Sequence, residues 1–146
     1  MPPDSPGPLG ALKLTTFHHL GLACRTMAAE EAALALVQYR REGALFDDPL
    51  LGIRCCFLTA SCPDAPRIEL VEPRPDSNVL EPWLQHGIKL YHMAFFTSDL
   101  DDALLALKRQ RGRMLVPPTP AVAFGHRPVS FVMLPNLMLI ELITAP

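Results

Sequence analysis

Two stretches of this chain repeat one pattern. Phe17-His18-His19-Leu20-Gly21-Leu22-Ala23 and Tyr91-His92-Met93-Ala94-Phe95-Phe96 each run histidine, apolar, small, apolar. Each is followed by a helical pattern, and each half closes on a second shared phrase, Ile68-Glu69-Leu70-Val71 and Ile140-Glu141-Leu142-Ile143. His19 and Glu69 are 50 positions apart (69 − 19), and His92 and Glu141 are 49 apart (141 − 92). Two His…Glu pairs at nearly equal spacing imply an internal duplication, which narrows the possible folds more than composition does.

Each half reads as β-α-β-β-β. In the first, a strand over 15–24 precedes a helix over Met27 to about Glu42, rich in Ala, Leu and Glu and stopped by Gly43. A short strand at Ala44–Phe46 is broken by Asp47-Asp48-Pro49, and strands follow at Ile53–Thr59 and Arg67–Glu72. In the second, Leu90–Thr97 is the first strand, and Ser98 or Asp99 caps the next helix. That helix places Leu100, Ala103, Leu104 and Leu107 on one stripe and ends near Arg109, Arg111 and Gly112. A short strand at Met114–Val116 leads into Pro117–Pro128, too proline-rich for a central strand, and the last strands are Pro128–Leu134 and Leu137–Thr144.

The expected fold class is therefore α+β, built from two tandem βαβββ modules. Module one covers 14–74, a linker 75–88 and module two 89–146, all within one domain. The linker holds a helical turn over Val79–Gln85 with Trp83 packing down. Residues 1–13 form a loose tail, with Pro2, Pro3, Pro6, Gly7, Pro8 and Gly10 crowded into it.

Composition excludes more than it selects. At 146 residues one domain buries roughly two thirds of its unfolded surface. A net charge of −2 makes no electrostatic case for nucleic acid or an anionic membrane, and the longest apolar run is far short of a membrane span. Cys24, Cys55, Cys56 and Cys62 form no CxxC, and Cys55 and Cys56 are neighbours in a strand, so they face opposite ways. They read as small core residues in a reducing compartment. With no signal-peptide pattern at the N-terminus, the expected location is cytoplasmic.

Strand alternation puts each repeated histidine and glutamate on one side of its strand. Where two such modules curl around a common cavity, His19, Glu69, His92 and Glu141 converge as two nitrogens and two oxygens. That set suits one divalent first-row metal with positions left for water or substrate. An isolated core histidine is usually structural. A mid-strand glutamate between Ile and Leu is harder to dismiss, because a buried carboxylate needs a partner. The repeat selects His19, which matches His92, while His18 matches Tyr91 and falls on the opposite face.

These residues resemble the vicinal oxygen chelate superfamily, which includes glyoxalase I, methylmalonyl-CoA epimerase, extradiol dioxygenases and fosfomycin- and bleomycin-resistance proteins. The likeness rests on His19-Leu20-Gly21, the Ile-Glu-Leu around Glu69, Tyr91-His92 before an apolar strand and Asp99-Leu100, and the Ile-Glu-Leu around Glu141. Within the superfamily, Ser77-Asn78-Val79-Leu80-Glu81-Pro82-Trp83-Leu84-Gln85-His86-Gly87 is similar to the segment of the methylmalonyl-CoA epimerase-like branch that leads into its second metal histidine. The resemblance implies a cupped, partly open mixed β-sheet barrel around cobalt, zinc, nickel, manganese or iron. It also implies a homodimer, and Glu141 acting as a catalytic base. The branch's other base is a glutamate before the third strand, where this chain offers Asp47 or Asp48, one methylene shorter.

The expected function is that of a metal-dependent isomerase, epimerase or lyase. It would stabilise the enolate of a small carbonyl compound or acyl thioester, the metal serving as Lewis acid. One alternative is a ferrous-iron extradiol-type dioxygenase on His19, His92 and Glu141, which a fourth ligand at Glu69 opposes. The other is a non-catalytic binding or resistance protein for small molecules. In Ala123-Phe124-Gly125-His126-Arg127 the functional reading is a lid, with Arg127 taking a substrate carboxylate or phosphate and Phe124 and His126 at the mouth. The plain reading is a solvated loop with Arg127 paired to a surface acid.

Overall fold

A computed structural model describes residues 12–146. The elements are β1 (Leu14–Ala23), α1 (Met27–Ala35), β2 (Tyr39–Asp48), β3 (Ile53–Ala60), β4 (Ile68–Pro73), α2 (Glu81–Gln85), β5 (Leu90–Thr97), α3 (Leu100–Arg109), β6 (Arg113–Pro120), β7 (Pro128–Met133) and β8 (Leu139–Thr144). Among the described residues, eight strands form one mixed sheet in the order β2-β3-β4-β1-β5-β8-β7-β6. The order is the same read inward from either edge, once β1–β4 are matched with β5–β8. Within each module the first strand runs parallel to the fourth, and the modules join where β1 pairs antiparallel with β5. The sheet is cupped but does not close, because β2 and β6 remain its edges.

The concave face holds one apolar cluster that includes Ile53, Cys55, Phe57, Phe124, Phe131 and Ile143. The convex face carries the two long helices. α1 covers Cys56, Leu58 and Leu70 with Met27, and α3 covers Val132 and Leu142 with Leu100, Ala103, Ala106 and Leu107. Cys55 and Cys56 thus lie on opposite faces, as alternation requires. Asp99 caps α3, its carboxylate accepting from Asp102 N–H at 3.1 Å. The first N–H of α1 instead donates to Glu72 Oε2 at 2.7 Å.

The largest departures from expectation lie around the first helix and the strand after α3. The first helix stops at Ala35, not near Glu42, and residues 39–42 pair with 57–60 of β3. Strand pairing overrides their helix propensity, a weak preference next to a ladder of hydrogen bonds. Gly43, expected to stop the helix, sits within β2 at φ +75°, where the register with β3 slips between Glu42 and Phe46. The strand after α3 extends through Pro117 and Pro118 to Pro120. It lies at the sheet edge, where missing N–H groups are tolerated.

Of the loose tail expected over residues 1–13, residues 1–11 lie outside the described residues, and the last two differ from expectation. Leu12 and Lys13 are anchored: Leu12 is buried against α3, and Lys13 Nζ reaches Asp102 at 2.7 Å and Asp99 at 3.5 Å. Among the described residues, no helix is long and apolar enough to cross a membrane.

Candidate metal centre

The four repeated residues meet on the concave face because of their rows in the sheet. Gly21 in β1 lies opposite His92 in β5 and beside Glu69 in β4. Ala94 in β5 lies opposite His19 in β1 and beside Glu141 in β8. Each row therefore has a small residue at its centre, with an imidazole from one neighbouring strand and a carboxylate from the other. The repeated small residue is now explained: it receives the other module's histidine. An added Cβ at Gly21 would lie 2.2 Å from His92 Cε1, so only glycine fits beneath that ring.

His19 Nε2 and His92 Nε2 are 2.9 Å apart. Glu141 Oε1 stands 3.2 Å from both nitrogens, and Glu69 Oε1 stands 3.5 Å from His19 and 3.4 Å from His92. One donor atom from each residue lies within 4.8 Å of the others, and all four residues are buried. Bonds of about 2.1 Å to one ion place neighbouring ligand atoms roughly 3.0 Å apart at right angles and roughly 3.4 Å apart in a tetrahedron. The five separations, 2.9–3.5 Å, lie within about 0.1 Å of that range.

Charge points the same way. Burial alone would lower the His19 pKa, but Glu69 and Glu141 outweigh it and hold it at about 9. Burial likewise opposes protonation of His92, and the same carboxylates raise it. Both glutamates are held well below the usual carboxylate range by the two histidines, against the upward push of burial. Two imidazolium charges balance two carboxylates, and one divalent cation among neutral imidazoles would balance them equally. Among the described residues, Glu141 Oε1 and His92 Nδ1 are buried without a hydrogen-bond partner. An unmet oxygen aimed at the centre of the cluster is what a cation would satisfy, so the donor set fits a divalent ion.

Beside the cluster lies a cavity of about 30 Å³, lined by Glu69, His92 and Glu141 and walled by Ile53, Phe124 and Phe131. That is room for one or two waters, far too little for a thioester. Its roof joins the two edges of the cup. Asp48 is buried, and its carboxylate accepts from Leu51 N–H at 3.1 Å and from Val122 N–H at 3.0 Å across the mouth. Asp48 therefore lines the cavity with both oxygens engaged. Asp47 points away from it, exposed and paired with Arg74 and Arg54.

The segment read as a possible lid forms a 3-10 turn over Val122–Phe124. Phe124 is buried in the cavity wall, and His126 is exposed at φ +64°. Arg127 donates to the carbonyls of Phe124 and Thr144 and lies 5.5 Å over the Phe96 ring. Its guanidinium ties the turn to β8 and, among the described residues, is not paired with a surface acid.

His18 differs from expectation. It does not face away from His19 but lies on the same side, its Nδ1 2.7 Å from His19 Nδ1. The cause is a bulge: the register with β5 slips between Phe17 and His19, which leaves His18 as the extra residue. A matching slip between Gly21 and Leu22 leaves Tyr91 extra on β5, and Tyr91 also turns into the cup. Strict alternation fails at a bulge, and the signal available in the sequence was the repeat, which aligns His18 with Tyr91. His18 is half-buried, and its pKa falls to about 4 through burial first and then through His19 and Arg67. Cys55 also lines the cavity, its thiol pushed far up by burial and by Glu69.

A profile of the glyoxalase/bleomycin resistance protein/dioxygenase superfamily matches residues 18–131. Among solved structures, a methylmalonyl-CoA epimerase variant from Streptomyces coelicolor in complex with 2-nitronate-propionyl-CoA is 24% identical, with TM-score 0.71 over 90% of this chain and 95% of that one. Methylmalonyl-CoA epimerase from Mycobacterium tuberculosis is 21% identical, with TM-score 0.73 over 92% and 91%. A hypothetical protein from Bacillus halodurans is 20% identical, with TM-score 0.71 over 90% and 94%. No curated protein sequence matches significantly.

Proposed function

We propose that this chain, which belongs to the glyoxalase/bleomycin resistance protein/dioxygenase superfamily, is a metal-dependent isomerase, epimerase or lyase acting beside a carbonyl. The substrate is a small carbonyl compound or acyl thioester. The observation that carries this is the convergence of His19, Glu69, His92 and Glu141, one donor atom from each lying within 4.8 Å of the others. A divalent ion bound there would supply Lewis-acid polarisation of a substrate oxygen. The likeness to methylmalonyl-CoA epimerases supports this class of substrate.

The chain's own residues divide the remaining work. Glu141 presents a buried carboxylate at the cavity, and we assign it the role of taking the proton α to the carbonyl. The apolar wall of Ile53, Val71, Phe124 and Phe131 limits water beside the acceptor to one or two molecules. Asp48, with both oxygens held by backbone N–H groups, is unsuited to a second base in this closed form. A single base on one face suits transfer of a proton to a neighbouring atom of the substrate, whereas epimerisation needs a proton donor on the opposite face as well. Glu69 completes a four-residue set, which weighs against the oxygenase alternative, where open positions are needed for both substrate and oxygen.

Elemental analysis of the purified chain, before and after chelation and reloading, tests the site. About one metal per chain is expected, lost in His92→Ala and Glu141→Ala while both stay folded. Proton exchange at the α-carbon of small acyl thioesters and ketones in D2O tests the chemistry. A metal-free wild type, or exchange at the same rate in Glu141→Ala, would sink the proposal. A homodimer and a cytoplasmic location belong to the same reading, and light scattering in solution tests the first.

A further inference from the structure

The two modules differ at the residue before each site histidine. Both positions are bulged into the cup, but β1 carries His18 and β5 carries Tyr91. Tyr91 packs its ring edge against His92, with centroids 4.7 Å apart, and His92 Nδ1 has no hydrogen-bond partner. His18 instead brings its Nδ1 to 2.7 Å from His19 Nδ1. The His18 ring is held in place by the edges and faces of Phe57, Phe96 and Phe124, at 5.3, 5.0 and 5.2 Å. Its backbone is fixed as well, because the His18 carbonyl accepts from Arg67 Nη1 at 3.1 Å.

Two ring nitrogens this close share one proton, so one donates and the other accepts. His19 turns its Nε2 toward Glu69, His92 and Glu141. An imidazole that offers Nε2 to a cation carries its proton on Nδ1. The proton between the rings is then the one on His19 Nδ1, and His18 keeps its own on Nε2. We infer that His18 is a positioning residue whose Nδ1 accepts the His19 Nδ1–H and so fixes the tautomer and orientation of the first site histidine. This rests on the metal set proposed above. Ligand histidines commonly give this proton to a carboxylate or a backbone carbonyl, and here a neighbouring imidazole on the same strand takes it. Among the described residues His92 has no such partner and is oriented by packing over Gly21, so the two halves of the site hold their histidines by different means.

Two substitutions of the full chain separate the hydrogen bond from packing. His18→Asn keeps an acceptor close to the Nδ1 position, while His18→Leu fills the space without one. Affinities for cobalt and zinc are measured by chelator competition, together with the visible absorption of the cobalt form. Loss of the acceptor is expected to weaken binding roughly 10–100-fold and to change the cobalt spectrum, with His18→Asn recovering most of both. Two-bond 15N correlation spectra of the chelated wild type are expected to put a proton on His19 Nδ1 and none on His18 Nδ1. Wild-type affinity in His18→Leu overturns the inference. So does an equal loss in His18→Asn, which would make the role one of packing, or a proton found on His18 Nδ1. If the wild type itself binds no metal, the proposed function fails, and the 15N spectra still decide the His18–His19 bond. Circular dichroism checks each variant, and His18→Phe serves as the acceptor-free variant if the leucine form does not fold.

Discussion

Replacing Gly21 with alanine would drive a methyl group into the His92 imidazole. The new Cβ would lie 2.2 Å from Cε1, 2.4 Å from Nδ1 and 2.5 Å from Nε2, whereas ordinary contacts begin at 3.4 Å. The ring must retreat by at least 1.2 Å (3.4 − 2.2). Retreat is blocked by Tyr91 and Phe131, whose centroids lie 4.7 and 5.2 Å away, and the side chain is only 1% exposed. The backbone at Gly21 is outside the left-handed region, so alanine adds a clash without backbone strain. Overpacking of this kind costs about 1–3 kcal/mol, which a domain with about 5–15 kcal/mol of stability survives. Metal–ligand distances tolerate only about 0.2 Å, so the displaced imidazole drops out of the set. The expected result is a folded protein whose metal affinity falls about 100-fold or more, beyond the loss typical of outer-shell changes. Chelator competition reads the affinity, with circular dichroism as the folding control. Ala94→Gly, which relieves the matching position under His19, should keep its metal. Wild-type affinity in Gly21→Ala would refute the claim that this glycine seats His92.

Acidity offers an independent check. The folded His19 pKa of about 9 exceeds its reference of 6.5, so its contribution to metal-free stability is complete below about pH 6.5 and lost as pH rises to about 9. That contribution is about 3 kcal/mol at most, and the depressed Glu69 reflects the same contact, so it is counted once. Thermal midpoints of chelated protein should fall across that window while metal-loaded protein holds steady, and metal affinity should rise with pH; a flat profile in the chelated form would contradict this. Asp48→Ala leaves the Leu51 and Val122 N–H groups without their acceptor, at about 1–3 kcal/mol for an unmet buried donor. It should also speed labelling of Cys55, which lines the cavity, as read by peptide mapping; unchanged labelling would mean that Asp48 does not hold the mouth shut. Asp99→Ala removes the α3 cap and should cost about 1 kcal/mol in denaturant unfolding without altering metal content.

The duplication was legible in the chain because it is written in local terms. A strand alternates with period two, α3 shows its stripe at helical spacing, and the repeat aligned His19 with His92 and Glu69 with Glu141 without any knowledge of contacts. The concave sheet and the meeting of those four residues agree with that reading. Residues 39–42 were misassigned because their helix propensity is local while their strand partners in β3 lie 15 to 21 positions onward.

Contacts between distant segments settled the rest. A one-residue slip against β5 moved His18 from one face to the other, and register is a property of a strand pair that neither strand states alone. Asp47 and Asp48 are adjacent and chemically alike, yet one meets surface arginines and the other spans the cup to Val122. The sequence left Arg127 open to a substrate anion or a surface acid, and the fold presents it with the Phe124 and Thr144 carbonyls. Periodicity and repetition are carried by neighbours along the chain, so they survive in one dimension. Register, burial and the partners of a polar group depend on residues far away in sequence, so they exist only once the sheet has paired and curled.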